Sequence, residues 1–371
     1  MCSPRSVLVD GLARTEDWSA QGKSRCRQLR GPRTRGGGRC SSRDPPPRRF
    51  GEVRPVSLVR GACMNLRAVL STAVSSGGLL GVVIVGYSLP AFHAAAPIIA
   101  DVPGAFDVRT RATWDLPIVR DASVERFVDL LHEQQQDRMA QYLKRSGRYE
   151  GMIRGKLRER GLPEDLLYLS MIESGFDPNA QSVASAVGLW QFMAQTARGY
   201  GLRIDTYVDE RRDPVKSTDA ALRYLADLYE EFGSWSLAAA AYNSGGGRVA
   251  RIMLEETGSV RGRESDFWRI RNRLPAETRA YVPLIYAVAL IGKEPHRYGL
   301  DRVERLLPIE VEQVEVPGAT SLQTVAAAIG LDADDLRELN PHLIQGTTPP
   351  GERYPVVIPA SRRDQFVHNF G

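Results

Sequence analysis

From Val124 onward, apolar residues recur at helical spacing. Phe127, Val128, Leu130 and Leu131 precede a polar Gln-Gln-Gln-Asp stretch. Met139, Tyr142 and Leu143 continue the pattern until Gly147, which marks a stop. Met152 to Arg160 forms a second short amphipathic helix, closed by Gly161. Pro163 suits the first turn of the next helix, and Glu164 and Asp165 suit its positive end. That helix carries Leu166, Leu167, Leu169, Met171 and Ile172, and it delivers Glu173 at its C-terminal end, just before Gly175. Further helices are expected at 188–199, 217–232, 235–242, 246–257, 264–273 and 277–291, with Ser217-Thr-Asp as N-cap chemistry. No long alternating pattern occurs between 120 and 300, so this stretch reads as one all-α domain of about 150–180 residues.

Near Leu306 the period changes from helical to two. Ile309-Glu-Val-Glu-Gln-Val-Glu-Val316 alternates apolar and charged residues and predicts a strand. Two short helical stretches follow, at 322–329 and 333–339, and Tyr354-Pro-Val-Val-Ile-Pro359 reads as a returning strand. The fold class is therefore mainly α, an all-α domain followed by a small β-α-α-β unit. The second unit has about 50 residues, which is small but able to hold a minimal core. It has no second copy in the chain, so there is no repeat array.

Charge changes the picture only once the chain is divided. The 371 residues carry 49 Lys and Arg against 44 Asp and Glu, and the pI of 9.1 invites a nucleic-acid partner. Residues 1–63 hold 14 of the basic and 5 of the acidic residues, leaving 35 basic and 39 acidic in the remainder. The basic character is thus local, and no nucleic-acid partner is expected. Residues 1–63 are rich in Arg, Gly, Ser and Pro, lack a sustained apolar period and hold all four cysteines (Cys2, Cys26, Cys40, Cys63) without a C-x-x-C. Met64 begins a different segment. A short positive start is followed by the apolar Gly78-Leu-Leu-Gly-Val-Val-Ile-Val, then Pro90 and Ala94-Ala-Ala. That is the layout of a signal peptide at 64–96, with Met64 the natural start and 1–63 upstream of it. The roughly twenty apolar residues are also long enough to span a bilayer if left uncleaved. Membrane attachment is expected only in that case. The exported chain would begin near residue 97, with 97–150 an N-terminal extension and helix. It would lack cysteine altogether, and so hold together through its core without disulfides.

Candidate chemistry centres on Glu173. A helix-end carboxylate is ordinarily solvated. Here the apolar run before it and Phe176 beside it predict desolvation, which raises a carboxyl pKa and fits it to donate a proton to a glycosidic oxygen. Ordinary glycoside hydrolysis uses two carboxylates. No second one in similar context stands nearby, and Asp177, followed by Pro178, reads equally as a turn residue. A one-acid site needs other stabilisation of the sugar cation, such as the substrate's own N-acetyl group. Ser182, Gln191 and Tyr242 are candidate polar partners, readable also as a cap, a surface amide and a core aromatic. Trp190 reads equally as a stacking platform or core filler. Asn243-Ser-Gly-Gly-Gly-Arg follows a helical Ala run, not a strand, and lacks Gly-Lys-Ser/Thr, so it reads as a tight turn lining a groove and not as a phosphate loop. The five histidines are scattered, and His132-Glu133 lacks the second histidine of a zinc motif. No metal or other cofactor is expected.

These residues carry a resemblance. Leu162-Pro-Glu-Asp-Leu-Leu-Tyr-Leu-Ser-Met-Ile-Glu-Ser-Gly-Phe resembles the entry to the catalytic domain of lytic murein transglycosylases, closest to the membrane-bound D type. Gly188-Leu-Trp-Gln-Phe-Met, Arg211-Arg-Asp-Pro-Val-Lys-Ser-Thr-Asp-Ala-Ala, Ala241-Tyr-Asn-Ser-Gly and Glu277-Thr-Arg-Ala-Tyr-Val are similar to its later motifs, in the same order. The match covers about residues 150–300. The stretch 314–359 resembles a LysM carbohydrate-binding module through Leu339-Asn-Pro and the closing Val-Ile-Pro. Some positions depart from the family pattern. Ser185 stands where Gly is usual, Ser170 where Pro is usual, and Ala194 where Pro is frequent. Ser244-Gly-Gly replaces Ala-Gly-Pro and Pro-Gly-Ala-Thr-Ser-Leu replaces the module's Gly-Asp-Thr-Leu; with no cysteine after the apolar segment, the lipid anchor usual in the family is not expected.

The resemblance implies a lysozyme-like all-α catalytic domain at 151–300, of the soluble-lytic-transglycosylase and goose-lysozyme kind, and a LysM-like module at 308–360. It implies cleavage between N-acetylmuramic acid and N-acetylglucosamine in peptidoglycan, with Glu173 acting first as acid and then as base. Glu173 would deprotonate the muramic C6 hydroxyl to give a 1,6-anhydro product. Ser182, Gln191, Tyr242, Asn243 and Tyr281 match positions that bind or orient the sugar. Peptidoglycan glycan strands are the expected partner, a monomer the expected state, and the periplasm or cell envelope the expected location. Two alternatives stay open, a goose-type muramidase that adds water and a non-catalytic wall-binding protein.

Overall fold

The computed structural model describes residues 114–117 and 121–370. The expectations for 1–63, for the signal segment at 64–96 and for most of 97–120 lie outside these residues.

Asp121 opens helix α1 (Ala122–Gln134) by accepting the Ser123 N–H at 2.8 Å. Helix α2 (Gln136–Glu159) follows as one continuous rod. The stop expected at Gly147 does not occur; the helix predicted from Val124 breaks at Gln135 instead, and its second half is continuous with the one predicted from Met152. Gly147 instead marks a close approach. A Cβ there would lie 2.4 Å from the Leu306 carbonyl oxygen, where the later chain crosses the helix. The boundary drawn at residue 150 therefore falls inside α2. Leu131 and Leu143 share a core with residues far beyond that boundary, so 121–150 is part of the helical domain.

A 3-10 turn at Glu164–Leu166 leads into α3 (Leu167–Ser174), every residue of which is buried. Helix α4 (Ala194–Gly199) is half the length expected for 188–199. Gly188 at φ 86° and Gln191 at φ 47° have left-handed backbone that no α-helix accommodates. Helix α5 (Pro214–Phe232) begins before the predicted Ser217 cap. Asp213 caps it, accepting from the N–H groups of Val215 and Lys216 at 2.9 Å, with Pro214 in the first turn. Ser217 is buried inside it. Helices α6 (Trp235–Ser244), α7 (Gly246–Thr257) and α8 (Glu264–Ile270) follow, the last continued by a 3-10 turn at Arg271–Arg273. Helix α9 (Ala276–Lys293) contains Pro283, which has no N–H to give the Arg279 carbonyl one turn back. Arg271 Nε supplies that bond at 3.0 Å, so the helix continues through the proline.

After a linker that lies along α2, strand β1 (Val311–Val316) pairs antiparallel with β2 (Tyr354–Pro359), Val311 opposite Pro359 and Val316 opposite Tyr354. Helices α10 (Leu322–Ala328) and α11 (Ala333–Leu339) lie between them in sequence, as the pattern predicts. The Leu339-Asn-Pro motif has a clear physical use. Buried Asn340 accepts the Val357 N–H at 2.8 Å and donates to the Val357 carbonyl at 2.7 Å, pairing with β2 as a backbone unit would. One element was not expected. Helix α12 (Arg363–Phe370) adds Phe366 to the small core, stacked on Phe370 at 4.9 Å, so the module runs past residue 360. All described residues belong to one compact unit. The architecture is thus a mainly helical region followed by a small region with two strands. Among the described residues no helix is long and apolar enough to cross a membrane.

Candidate active site

Helix α3 delivers Glu173 into the interior because the chain turns sharply just beyond it. Gly175 takes φ 60° as the C-cap, and a Cβ there would lie 2.0 Å from the Tyr142 ring. The Glu173 side chain is only 1% exposed. Its Oε1 accepts a hydrogen bond from the Tyr281 hydroxyl on α9 at 2.5 Å. Its Oε2 is buried and has no hydrogen-bond partner among the described residues. Burial pushes the carboxyl pKa up to about 8. The Tyr281 hydrogen bond lowers it in part, and the nearby charge of Glu277 raises it further. The C-terminal end of a helix also disfavours a negative charge. At neutral pH this group holds its proton.

Three other segments are joined to α3 or to the partners of its acid, the first through the Leu189 carbonyl, which accepts from Ser170 and Ser174 at 3.1 and 2.9 Å. The first is the irregular stretch before α4. Ser182 accepts the Ala186 N–H on its Oγ at 3.1 Å and so shapes the tight turn 182–186. Gln191 is buried and donates from Nε2 to the carbonyls of Ala180 at 3.1 Å and Gly188 at 3.0 Å. Its Oε1 is buried without a partner among the described residues. Trp190 resolves to one of its two readings. It is fully buried and donates from Nε1 to Thr218 Oγ1 at 2.9 Å, so it fills the core and offers no stacking face.

The second segment is the end of α6. Tyr242 donates its hydroxyl to the Trp190 carbonyl at 2.7 Å. Asn243 donates to Glu277 Oε1 at 3.0 Å and accepts from Thr278 Oγ1 at 2.8 Å. The third is α9, where Glu277 and Tyr281, four residues apart, share one helix face. Burial and the neighbouring Glu173 charge hold the hydroxyls of Tyr242 and Tyr281 well above the ordinary tyrosine range, so both remain donors.

Tyr281 is thus in direct contact with Glu173, and Tyr242 lies within its electrostatic reach. Asn243 is joined to Glu277, which also acts on Glu173. Ser182 and Gln191 shape the adjoining loop. Neither Glu277 nor Thr278 stands out in the sequence, where no second carboxylate is expected near Glu173. The structure supplies one in Glu277. The available signal was its i, i+4 spacing to Tyr281. Among the described residues no group of His, Cys, Asp or Glu is arranged to hold a metal ion.

Residues 151–260 match the family model of the transglycosylase SLT domain, and residues 310–370 match the LysM-like domain of lytic transglycosylase MltD. The membrane-bound lytic murein transglycosylase D of Escherichia coli K12 is 37% identical over 221 residues, covering 59% of this chain and 48% of that protein. The peptidoglycan transglycosylase gp16 of Escherichia phage T7 is 37% identical over 110 residues, 29% of this chain and 8% of its own. The membrane-bound lytic murein transglycosylase C of Edwardsiella ictaluri is 31% identical over 136 residues, covering 32% of this chain and 36% of its own. The chain spans about half the length of the D-type relative.

Proposed function

We propose that this protein is a peptidoglycan lytic transglycosylase that cleaves the β-1,4 bond between N-acetylmuramic acid and N-acetylglucosamine. The observation that carries the reading is the buried Glu173, protonated at neutral pH, with Oε1 engaged by Tyr281 and Oε2 left to meet substrate. Glu173 gives its proton to the glycosidic oxygen as the bond to the muramic C1 breaks, and N-acetylglucosamine leaves as a free alcohol. The carboxylate then takes the proton of the muramic C6 hydroxyl, whose oxygen bonds to C1. No water is consumed, the product is 1,6-anhydro-N-acetylmuramic acid, and Glu173 ends protonated as it began. Tyr281 fixes the carboxyl, Tyr242 and Asn243 tie α6 to the neighbouring loop and to α9, and Ser182 and Gln191 hold that loop in shape. No cofactor enters the scheme. The protein would act as a monomer on glycan strands in the periplasm or cell envelope, with the helical region from 121 as the catalytic domain and the module from 308 as a wall-binding unit.

One observation favours a second reading, hydrolysis. Glu277 is a second carboxylate beside Glu173, and a hydrolase uses such a group to activate water. Digestion of purified sacculi by the chain from residue 97 onward, read by mass spectrometry, decides between the two. Anhydro muropeptides are expected, with Glu173→Gln at least a thousandfold slower. Reducing-end products would establish hydrolysis, and an unimpaired Glu173→Gln would remove the proposed acid. Binding to sacculi without digestion would leave only a wall-binding protein.

A further inference from the structure

The strap 203–213 has two faces, and each grips a different part of the molecule. One face meets the C-terminal module. Val208 is fully buried as a member of the module's own core, and it forms an antiparallel bridge with Leu343. Asp209 N–H donates to the His342 carbonyl at 2.9 Å, and Ile344 N–H donates to the Tyr207 carbonyl at 3.0 Å. Arg203 pairs with Glu352 at 2.7 Å beside them. The module's core is therefore completed by a residue of the helical domain.

The other face meets the loop that borders Glu173. Arg211 is buried and binds Asp209 through two bonds, at 2.9 and 2.8 Å. Its Nη1 donates to the Ser185 carbonyl at 3.0 Å and the Phe192 carbonyl at 3.1 Å, so it joins the two ends of the loop that holds Gln191. Gly188 packs against the Arg211 carbonyl so closely that a Cβ would lie 1.8 Å from it. Arg212 adds a bond to the Asn179 carbonyl at 3.1 Å. Two of the loop's residues, Ser185 and Gln191, have left-handed backbone at φ 64° and 47°. Such conformations persist only where the surroundings enforce them. Asp209 is the shared joint, since its N–H is bound by the module and its carboxylate by Arg211.

We propose that the docked module and Arg211 are positioning elements of the catalytic site. Through the strap, the module holds the shape of the 182–192 loop, which packs on the helix of Glu173 through the Leu189 carbonyl. A module on a free tether would have no effect on a substrate too short to reach it. A docked one sets the turnover even of such a substrate. The inference rests on the catalytic reading only for its activity arm.

The test uses the full chain and two variants, Val208→Asp, which places a carboxylate in the module's core, and Arg211→Lys, which leaves the module seated but cannot bridge both carbonyls. Amide hydrogen exchange reads the loop. In both variants the amides of 182–192 are expected to exchange at least tenfold faster, while those of 222–228 in α5 keep wild-type protection. Turnover of a soluble peptidoglycan tetrasaccharide, read as kcat/KM, is expected to fall at least tenfold in both. Loss of protection at Ile344 in Val208→Asp reports release of the module. The proposal is overturned if release leaves the loop's exchange and turnover unchanged. Should Val208→Asp unfold the chain or stay docked, unchanged exchange and turnover in Arg211→Lys overturns it alone. A wild type that digests no peptidoglycan sinks the catalytic reading and leaves the exchange result standing.

Discussion

Glu173 costs the fold stability at neutral pH. Its pKa is raised from an ordinary 4.5 to about 8, so the folded state binds the proton more tightly than the unfolded chain. That contribution is complete below 4.5 and is lost as pH rises through about 8. Glu173→Gln keeps the shape and carries no such penalty. Urea unfolding should therefore show the variant about equal to wild type at pH 4 and more stable at pH 7, by on the order of 3 kcal/mol. A difference that does not grow with pH would contradict this. Ser185 is a second costly residue. At φ 64° it has a conformation that costs a non-glycine residue about 1–2 kcal/mol. Ser185→Gly, the residue usual in the resembling family, should raise the urea midpoint by an amount worth about 1 kcal/mol. At this scale the burial of Glu173 was legible, because a long apolar run ending in Glu predicts desolvation. The role of Trp190 was not, because its indole partner Thr218 lies 28 residues away. Glu277 was hidden for the same reason, since its tie to Asn243 spans 34 residues.

The existence of most helices was readable at the level of elements, their exact starts less so. Pro163 stands at the start of the turn that leads into α3, as expected, but the cap of α5 is Asp213 and not Ser217, because a Ser-Thr-Asp run reads the same inside a helix as at its start. Gly147 was misread, because a glycine that ends a helix and one that admits a crossing chain look alike in sequence. Three glycines of α2 now make a controlled comparison. Gly151 and Gly155 face open space, whereas a Cβ at Gly147 would meet Leu306 and Arg305. Gly151→Ala and Gly155→Ala should each stabilise by about 0.5–1 kcal/mol through helix propensity. Gly147→Ala should destabilise by about 1–3 kcal/mol, because the linker must shift. Thermal unfolding of the three variants checks the reversal of sign.

For the whole molecule, the change of period near Leu306 separated the two regions, and the secondary structure of each was largely legible. Their attachment was not, because Val208 sits in a stretch with no periodic pattern. The interface also carries a buried histidine. His342 lies against Tyr354 at 6.1 Å, with Asp213 Oδ2 3.9 Å from its Nδ1 and with Lys216 and Glu210 nearby. Burial holds its pKa below the ordinary 6.5. Asp213 and Glu210 oppose that shift, and Lys216 supports it. The released state thus binds the proton more readily, and the docking contribution is present above pH 6.5 and lost on acidification. His342→Gln should remove this loss. Between pH 7 and pH 5 the amide of Ile344 should lose protection in wild type and lose less in the variant.

The linker that crosses α2 at Gly147 has its own hold on the helix. Leu306 N–H donates to the Lys144 carbonyl at 2.8 Å, and Arg305 pairs with Glu150 at 2.6 Å. That hold ends before the module begins, and the module is fastened separately, by the strap at Val208 and Asp209 and by Arg148, which pairs with Glu338 at 3.4 Å. A protease that nicked the chain between residues 307 and 310 would produce two fragments on a denaturing gel, yet under native conditions they would still migrate as one particle.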